Sequence, residues 1–177
     1  MASACLLTVG SDIRVWDPRR KSPFLFSSQN HHIKPLSCFS FNQAVEAIVS
    51  GGDDNRIIFT DLSNRIISTI ENSCPVISLA QTSKGRYLVC NGMNISEREP
   101  AKHVIRLFDN KSDKQGQSGT HLKIELKGPQ SMITQLAFCL QDKVIICGTQ
   151  TGELLFYLLT KLGKKLECQS DKAKSNT

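Results

Sequence analysis

The chain has 177 residues, about the size of one domain, and it is 40% hydrophobic and 21% charged. This composition excludes an intrinsically disordered chain, because it supplies enough apolar side chains to build a core. The longest apolar runs, such as ELLFYLL (153–159), fall far short of the roughly 18–20 residues that a membrane-crossing helix needs. Part of the net charge of +6 lies near the C-terminus, where we predict a basic tail over residues 161–177.

The N-terminus and the cysteines predict an intracellular protein. The sequence MASACLLTVG begins without a basic region and runs directly into a strand-like pattern, so we expect no signal peptide. The seven cysteines are odd in number and form no C-x-x-C pair, which is typical of reduced thiols. We therefore expect a cytoplasmic protein, with the nucleus as an open alternative.

Short β-type runs follow one another along the chain. They are rich in β-branched and aromatic residues, and Gly, Asn, Asp, Ser and Lys fill the gaps between them. In chain order they are LSCFSF (36–41), VEAIVS (45–50), RIIFTD (56–61), PVISLA (75–80), RYLVC (86–90), HVIRLFD (103–109), MITQLAFC (132–139), KVIICG (143–148) and GELLFYLL (152–159). Helical periodicity is hard to find, so the predicted fold class is all-β with tight hairpins.

These strands repeat with a nearly constant period. IRVWD ends at Asp17, IIFTD at Asp61, IRLFD at Asp109 and LLFYL at Leu158, so the intervals are 44, 48 and 49 residues. An apolar strand precedes each of these strands. In the last three sets, a further strand with an alternating apolar face precedes the apolar strand. The first set lacks this alternating strand. Self-similarity at such a period indicates a repeat architecture.

The second set carries the residues of a known repeat. His32 stands nine residues before Phe41, Ser50 ends the next predicted strand, and Asp54 lies in the turn that follows. This pattern resembles the WD40 repeat, in which four antiparallel strands form one blade of a β-propeller. The resemblance implies a buried hydrogen-bonded chain of His, Ser or Thr, Asp and Trp. In this sequence the hydrogen-bonded series is incomplete, because Thr60 occupies the place of the tryptophan.

The other sets carry less of this pattern. The first contains Trp16 with Asp12 nearby but begins after the place of the histidine, and the third and fourth sets lack His, Asp and Trp at these places. We interpret the repeat positions as structural, and we predict no catalytic, cofactor-binding or metal-binding residues. The structural positions are Asp12, Trp16, His32, Ser50, Asp54, Asp61 and Asp109.

The length allows about three and a half to four blades, fewer than most rings contain. We predict a repeat region over residues 1–160, with blades at about 4–28, 29–70, 74–127 and 131–169. The tail over 161–177 is then partly the last strand and partly disordered. An open stack exposes blade faces and strand edges, which favours a fragment of a larger ring or self-association. Closure into a four-bladed ring is the alternative.

The order of the blades has a narrower resemblance. LLTVGSDIRVWD, YLVCNG with IRLFD, and CGTQTGELLFYLLT follow one another as in the neural-precursor-expressed, developmentally down-regulated family of WD-repeat proteins, over about residues 3–160. That family recruits γ-tubulin ring complexes to centrosomes and spindles. The resemblance implies a non-catalytic scaffold with centrosomal or γ-tubulin-complex partners. The family binds γ-tubulin through a helical C-terminal region, for which these residues show no pattern.

Three other functions remain open from the residues alone. A small enzyme could use His32 with Asp53 or Asp54, although no nucleophile motif accompanies them and GGDDN (51–55) reads more simply as a hairpin turn. An adaptor in another intracellular complex would need only the propeller loops. RNA binding through the basic tail is less favoured, because basic residues are not interleaved with stacking aromatic residues.

Overall fold

The computed structural model describes residues 6–9, 12–29, 31–42, 46–94, 102–110, 120–162 and 165–172. Within these ranges the regular secondary structure consists of β-strands, and these strands form four antiparallel sheets. Each strand pairs with its neighbour in sequence, so every sheet is a simple meander. The predicted all-β class is therefore confirmed.

We number the sheets as blades one to four. Blade one contains β1 (Leu6–Val9), β2 (Asp12–Trp16) and β3 (Phe24–Gln29). Blade two contains β4 (Leu36–Asn42), β5 (Ala47–Gly52), β6 (Arg56–Asp61) and β7 (Ile66–Glu71). Blade three contains β8 (Ser78–Gln81), β9 (Tyr87–Asn94), β10 (Lys102–Asp109) and β11 (His121–Lys127). Blade four contains β12 (Ile133–Cys139), β13 (Val144–Thr149), β14 (Leu154–Leu162) and β15 (Lys165–Lys172).

Strand boundaries mostly follow the apolar runs, with two informative differences. The strand expected to begin at Pro75 begins at Ser78, and the Val76 N–H before it donates to Gly52 O of blade two and not to its own sheet. Proline itself has no N–H to donate to a ladder. At the other end of the chain, β14 continues to Leu162, past residue 160. The last hairpin thus extends into residues 161–177, where the sequence pattern also places part of the last strand.

The core lies between the blades. The first strands of blades two, three and four lie side by side, β4 against β8 and β8 against β12. One apolar cluster joins blades two and three through Val49, Ile57, Phe59, Ile70, Val76, Leu79, Leu88, Cys90 and Phe108. A second joins blades three and four through Val89, Ile105, Leu107, Ile133, Leu136, Ile145, Cys147, Leu155 and Tyr157. Sheets that bury both faces against neighbours in this way form a propeller-type stack.

Hydrogen bonds also join blade three to blade four. Ser78 Oγ accepts the Leu136 N–H at 3.0 Å, and Asn91 Nδ2 donates to Ile133 O at 3.0 Å. In the turns after the first strands, Ser83 Oγ donates to Asp142 at 2.6 Å. Because Asn91 and Ser78 are buried, these bonds fix how one blade sits on the next.

Candidate functional site

Strand register shows which residues hold equivalent places in blades one and two. Trp16 pairs with the residue two before Thr8, and Thr60 pairs with the residue two before Ser50. Thr8 therefore stands in blade one where Ser50 stands in blade two, and Trp16 where Thr60 stands. By this register β1, β2 and β3 are the second, third and fourth strands of blade one.

The predicted polar residues of blade two meet in one buried cluster. His32 Nε2 lies 2.9 Å from Ser50 Oγ, and His32 Nδ1 lies 2.8 Å from Asp54 Oδ1. Asp54 Oδ2 also accepts the Ile33 N–H at 3.0 Å. A carboxylate can only accept, so Nδ1 carries a proton and Nε2 can accept from the serine hydroxyl. The cluster ties the loop before β4 to β5 and to the turn before β6.

The Asp54 carboxyl is held in its charged form. Burial alone would raise its pKa, but hydrogen bonds from His32 and from the Ile33 and Arg56 N–H groups outweigh burial. Its pKa is therefore below the usual 3.8. An ionised carboxylate that accepts three hydrogen bonds is a stable anchor for the surrounding loops.

Ser50, His32 and Asp54 are hydrogen-bonded in the order of a catalytic nucleophile, base and orienting acid. This cluster, however, has no opening to solvent. The side chains of His32 and Asp54 are 0% exposed and Ser50 is 2% exposed. A hydrolytic serine must present Oγ to a substrate beside hydrogen-bond donors for the developing oxyanion. Here Ser50 Oγ lies inside the sheet, 3.4 Å from Ile58 O. The arrangement supports a structural role and leaves no room for acyl transfer.

The tryptophan part of the pattern lies in blade one. Trp16 Nε1 donates to Thr8 Oγ1 at 2.9 Å, and the indole meets the Phe24 ring edge-on with centroids 5.3 Å apart. Sequence reasoning missed Thr8, because eight residues separate it from Trp16 whereas ten separate Ser50 from Thr60. Asp12 lies in β2, but its side chain is outside the described part of the structure.

Blade three replaces the histidine cluster with a different one. Ser50 of blade two and Cys90 of blade three hold equivalent places on their strands and are 40 residues apart in sequence. Asn72 lies 40 residues after His32, so it holds the equivalent place in blade three. Asn72 Oδ1 accepts from Arg106 Nη1 at 3.1 Å. A guanidinium thus supplies the link between loop and sheet that the imidazole supplies in blade two.

Arg106 has further partners. Its Nε donates to Glu125 Oε2 at 2.8 Å and its Nη1 lies 2.9 Å from Cys74 Sγ. The residue is only 5% exposed. Desolvation would lower the pKa of Arg106, but the contacts with Cys74 and Glu125 reverse the direction and raise it. The charge is therefore retained inside the blade.

An aspartate ends or directly follows the third strand in blades one, two and three, and each of these aspartates makes ion pairs near a turn. Asp17 pairs with Arg19 at 2.9 Å, and Asp61 pairs with Arg65 at 3.0 Å. Asp109 lies 3.4 Å from Arg86. Hydrogen bonds from the Arg19 side chain lower the pKa of Asp17, and the Arg65 N–H lowers the pKa of Asp61. These residues shape turns.

Acidification should weaken the fold through these carboxyls. Asp17, Asp54 and Asp61 have folded-state pKa values below 3.8, so the unfolded chain binds more protons near that pH. Their contribution is complete above the unfolded pKa and is lost as pH falls through the folded values. We expect the urea midpoint to fall between about pH 5 and about pH 3, and less steeply in Asp61→Asn. A midpoint constant over that range would contradict this account.

Five cysteines of the described residues are free thiols, and burial keeps three of them protonated. Cys38, Cys74, Cys90, Cys139 and Cys147 form no disulfide there. Burial raises the pKa of Cys38 and of Cys147 to about 12 and raises that of Cys90 as well. A thiol that stays protonated is a poor nucleophile and a poor metal ligand.

Two features of other functional classes are absent from the described residues. No three His, Cys, Asp or Glu side chains in those ranges converge where a metal ion could bind. No helix in the same part of the chain is long and apolar enough to cross a membrane.

Stacked meander sheets with these clusters define a segment of a WD40-like β-propeller. The fold matches a chain in a solved structure, the crystal structure of a mitotic checkpoint complex, with a TM-score of 0.66 and 18% identity. The match covers 93% of this chain and 49% of that chain, so this chain spans about half its length. No family model and no curated protein matches the sequence. The propeller fold is thereby confirmed, and the match does not single out the centrosomal family.

Proposed function

We propose that this chain is a non-catalytic scaffold that binds partner proteins through the faces and loops of its blades. The observation that carries the proposal is the closed Ser50–His32–Asp54 cluster, whose side chains bond to one another instead of to solvent. Polar residues at the repeat positions then serve the framework, and the loops remain for recognition. The structural neighbour, a chain of a mitotic checkpoint complex, is itself part of a protein assembly.

The finer proposal places the chain at the centrosome or spindle, with components of γ-tubulin complexes as partners. Its support is the order of motifs, in which LLTVGSDIRVWD lies in the first blade and CGTQTGELLFYLLT lies in the last. An adaptor in another cytoplasmic or nuclear complex is the alternative. In either case the blades would position partners, and the chemistry would belong to those partners.

Proximity labelling in dividing cells tests the proposal. A biotin-ligase fusion of the full chain should enrich centrosomal and spindle proteins at least about fivefold over the ligase alone, as stable association requires residence near the label. Enrichment of another protein complex would keep the scaffold and discard the centrosome. Hydrolytic turnover by the purified chain that is lost in His32→Ala would overturn the scaffold proposal itself.

A further inference from the structure

An open cavity of about 420 Å³ lies at one end of blade four. It is bounded by the loop before β12 and by the turn between β13 and β14. The described residues that line it are Gln130, Ser131, Thr151 and Glu153. Its volume is within the range of ligand-binding pockets in proteins, roughly 300–1,000 Å³.

The cavity lies between the loop and the turn that the buried polar cluster joins in blade two. The two sheets share the same strand register around this loop and turn, so equivalent places can be assigned. The places of His32, Ser50 and Asp54 are held in blade four by Pro129, Cys147 and Thr151. Proline has no side-chain donor or acceptor, and the cysteine thiol is a weak one. Blade four therefore has no equivalent cluster, and an open cavity lies between its loop and its turn.

Hydrogen bonds hold the two walls of the cavity in place. The Gln150 N–H donates to Met132 O at 2.8 Å, which joins the turn to the loop. The Glu153 N–H donates to Thr149 Oγ1 at 3.0 Å, and Ser131 Oγ donates to the Glu153 carboxylate at 3.3 Å. Side chains on both walls are therefore positioned before a ligand arrives, which lowers the entropic cost of binding.

The lining favours a cation with several hydrogen-bond donors. Glu153 carries the only formal charge among the described lining residues, and its side chain is half-buried. The Gln130 amide oxygen and the Ser131 and Thr151 hydroxyl oxygens can also accept hydrogen bonds. An anion would be repelled by the Glu153 carboxylate. A guanidinium presents several N–H donors in one plane and pairs with a carboxylate through two of them, so it matches this lining better than an ammonium group does.

We propose that the blade-four cavity binds an arginine side chain of a partner protein. This inference rests on the proposed scaffold function and names the chemistry that one partner presents. Glu153 pairs with the guanidinium, and the Thr151 hydroxyl accepts from a further N–H group. The Ser131 hydroxyl can accept another N–H while it donates to Glu153. In blade two a histidine of the chain itself joins the loop to the turn, whereas in blade four the joining group comes from the partner.

Titration with a blocked arginine tests the proposal. The probe is N-acetyl-arginine N-methylamide, which mimics arginine within a polypeptide, and the control is the citrulline analogue, which is neutral and nearly identical in shape. Two-dimensional NMR spectra of the isotope-labelled full chain should show saturable shifts of the Thr151 and Glu153 amide signals. The citrulline form should bind at least about tenfold more weakly, because it lacks the positive charge.

Matched protein variants locate the binding site. Glu153→Gln keeps an acceptor for the Ser131 hydroxyl but removes the charge, so it should weaken arginine binding at least about tenfold. Glu71→Gln should leave binding unchanged, since Glu71 pairs with Arg56 on blade two. Thr151→Asp places a second carboxylate at the exposed rim and should strengthen binding about threefold. Far-UV circular dichroism and urea midpoints verify that all three variants fold.

Several outcomes would overturn the proposal. These are equal binding of the arginine and citrulline forms, equal weakening by the two glutamine variants, weaker binding by Thr151→Asp, and no saturable binding at about 10 mM probe. Free arginine that binds at least about tenfold more tightly than the blocked form would assign the cavity to the amino acid instead of a polypeptide. None of these results affects partner binding through other loops, so the scaffold function would be judged separately by proximity labelling.

Discussion

Replacing His32 with alanine should lower the free energy of unfolding by about 3 kcal/mol. The change leaves the Asp54 carboxylate and the Ser50 hydroxyl buried without their shared partner at 2.8 and 2.9 Å. An unsatisfied buried polar group is more expensive than the lost bond itself, and a buried charge more so. Urea unfolding at neutral pH, followed by circular dichroism, measures the loss.

The neighbouring histidine provides the control. His31 is half-buried and contacts the main chain and side chain of Asn64 at 3.1 and 3.0 Å. It holds no buried carboxylate, so His31→Ala should cost less than about 1 kcal/mol. Equal losses for the two histidines would mean that the cluster contributes nothing beyond an ordinary hydrogen bond.

Replacing Arg106 with alanine should cost about 3 kcal/mol. Asn72 Oδ1 loses its donor, and a cavity opens beside Cys74 where the guanidinium now packs. Arg106→Leu should cost less, because blade four has Leu155 and blade two has Ile58 at the place of Arg106. Apolar residues of similar volume often replace buried charges with little loss. The same urea titrations rank the two variants.

Arg14 is the matched control for Arg106. Both follow isoleucine in related strands, IRVWD and IRLFD, but Arg14 is exposed on blade one. Arg14→Ala should change stability by no more than about 0.5 kcal/mol. If Arg106→Leu were as damaging as Arg106→Ala, the polar contacts would matter more than the filled volume.

The sequence was sufficient where the information is local. β6 begins and ends at the residues that the apolar run predicts, since alternation and turn residues decide both ends. The spacing of His32, Ser50 and Asp54 led to residues that the fold does bring together. Thr8 escaped because the turn in blade one is two residues shorter, and register cannot be read before pairing is known.

The Arg106 cluster could not be predicted in the same way. Asn72 and Arg106 are 34 residues apart, and neither belongs to the pattern that the other blades display. Strand alternation places Arg106 on one face of its strand. Whether that face is buried depends on the neighbouring blade. For the same reason, strand alternation alone could not distinguish the buried Leu79 from the exposed Phe39.

The stack of blades has a consequence for how the molecule comes apart. The two main apolar clusters each join only adjacent blades, so stability follows a nearest-neighbour rule like that of linear repeat proteins. Among the described residues, blade three shares a cluster with a blade on each side, whereas blade four shares a cluster with blade three alone. Under mechanical load, rupture therefore begins at the outer blades and reaches the middle of the row last.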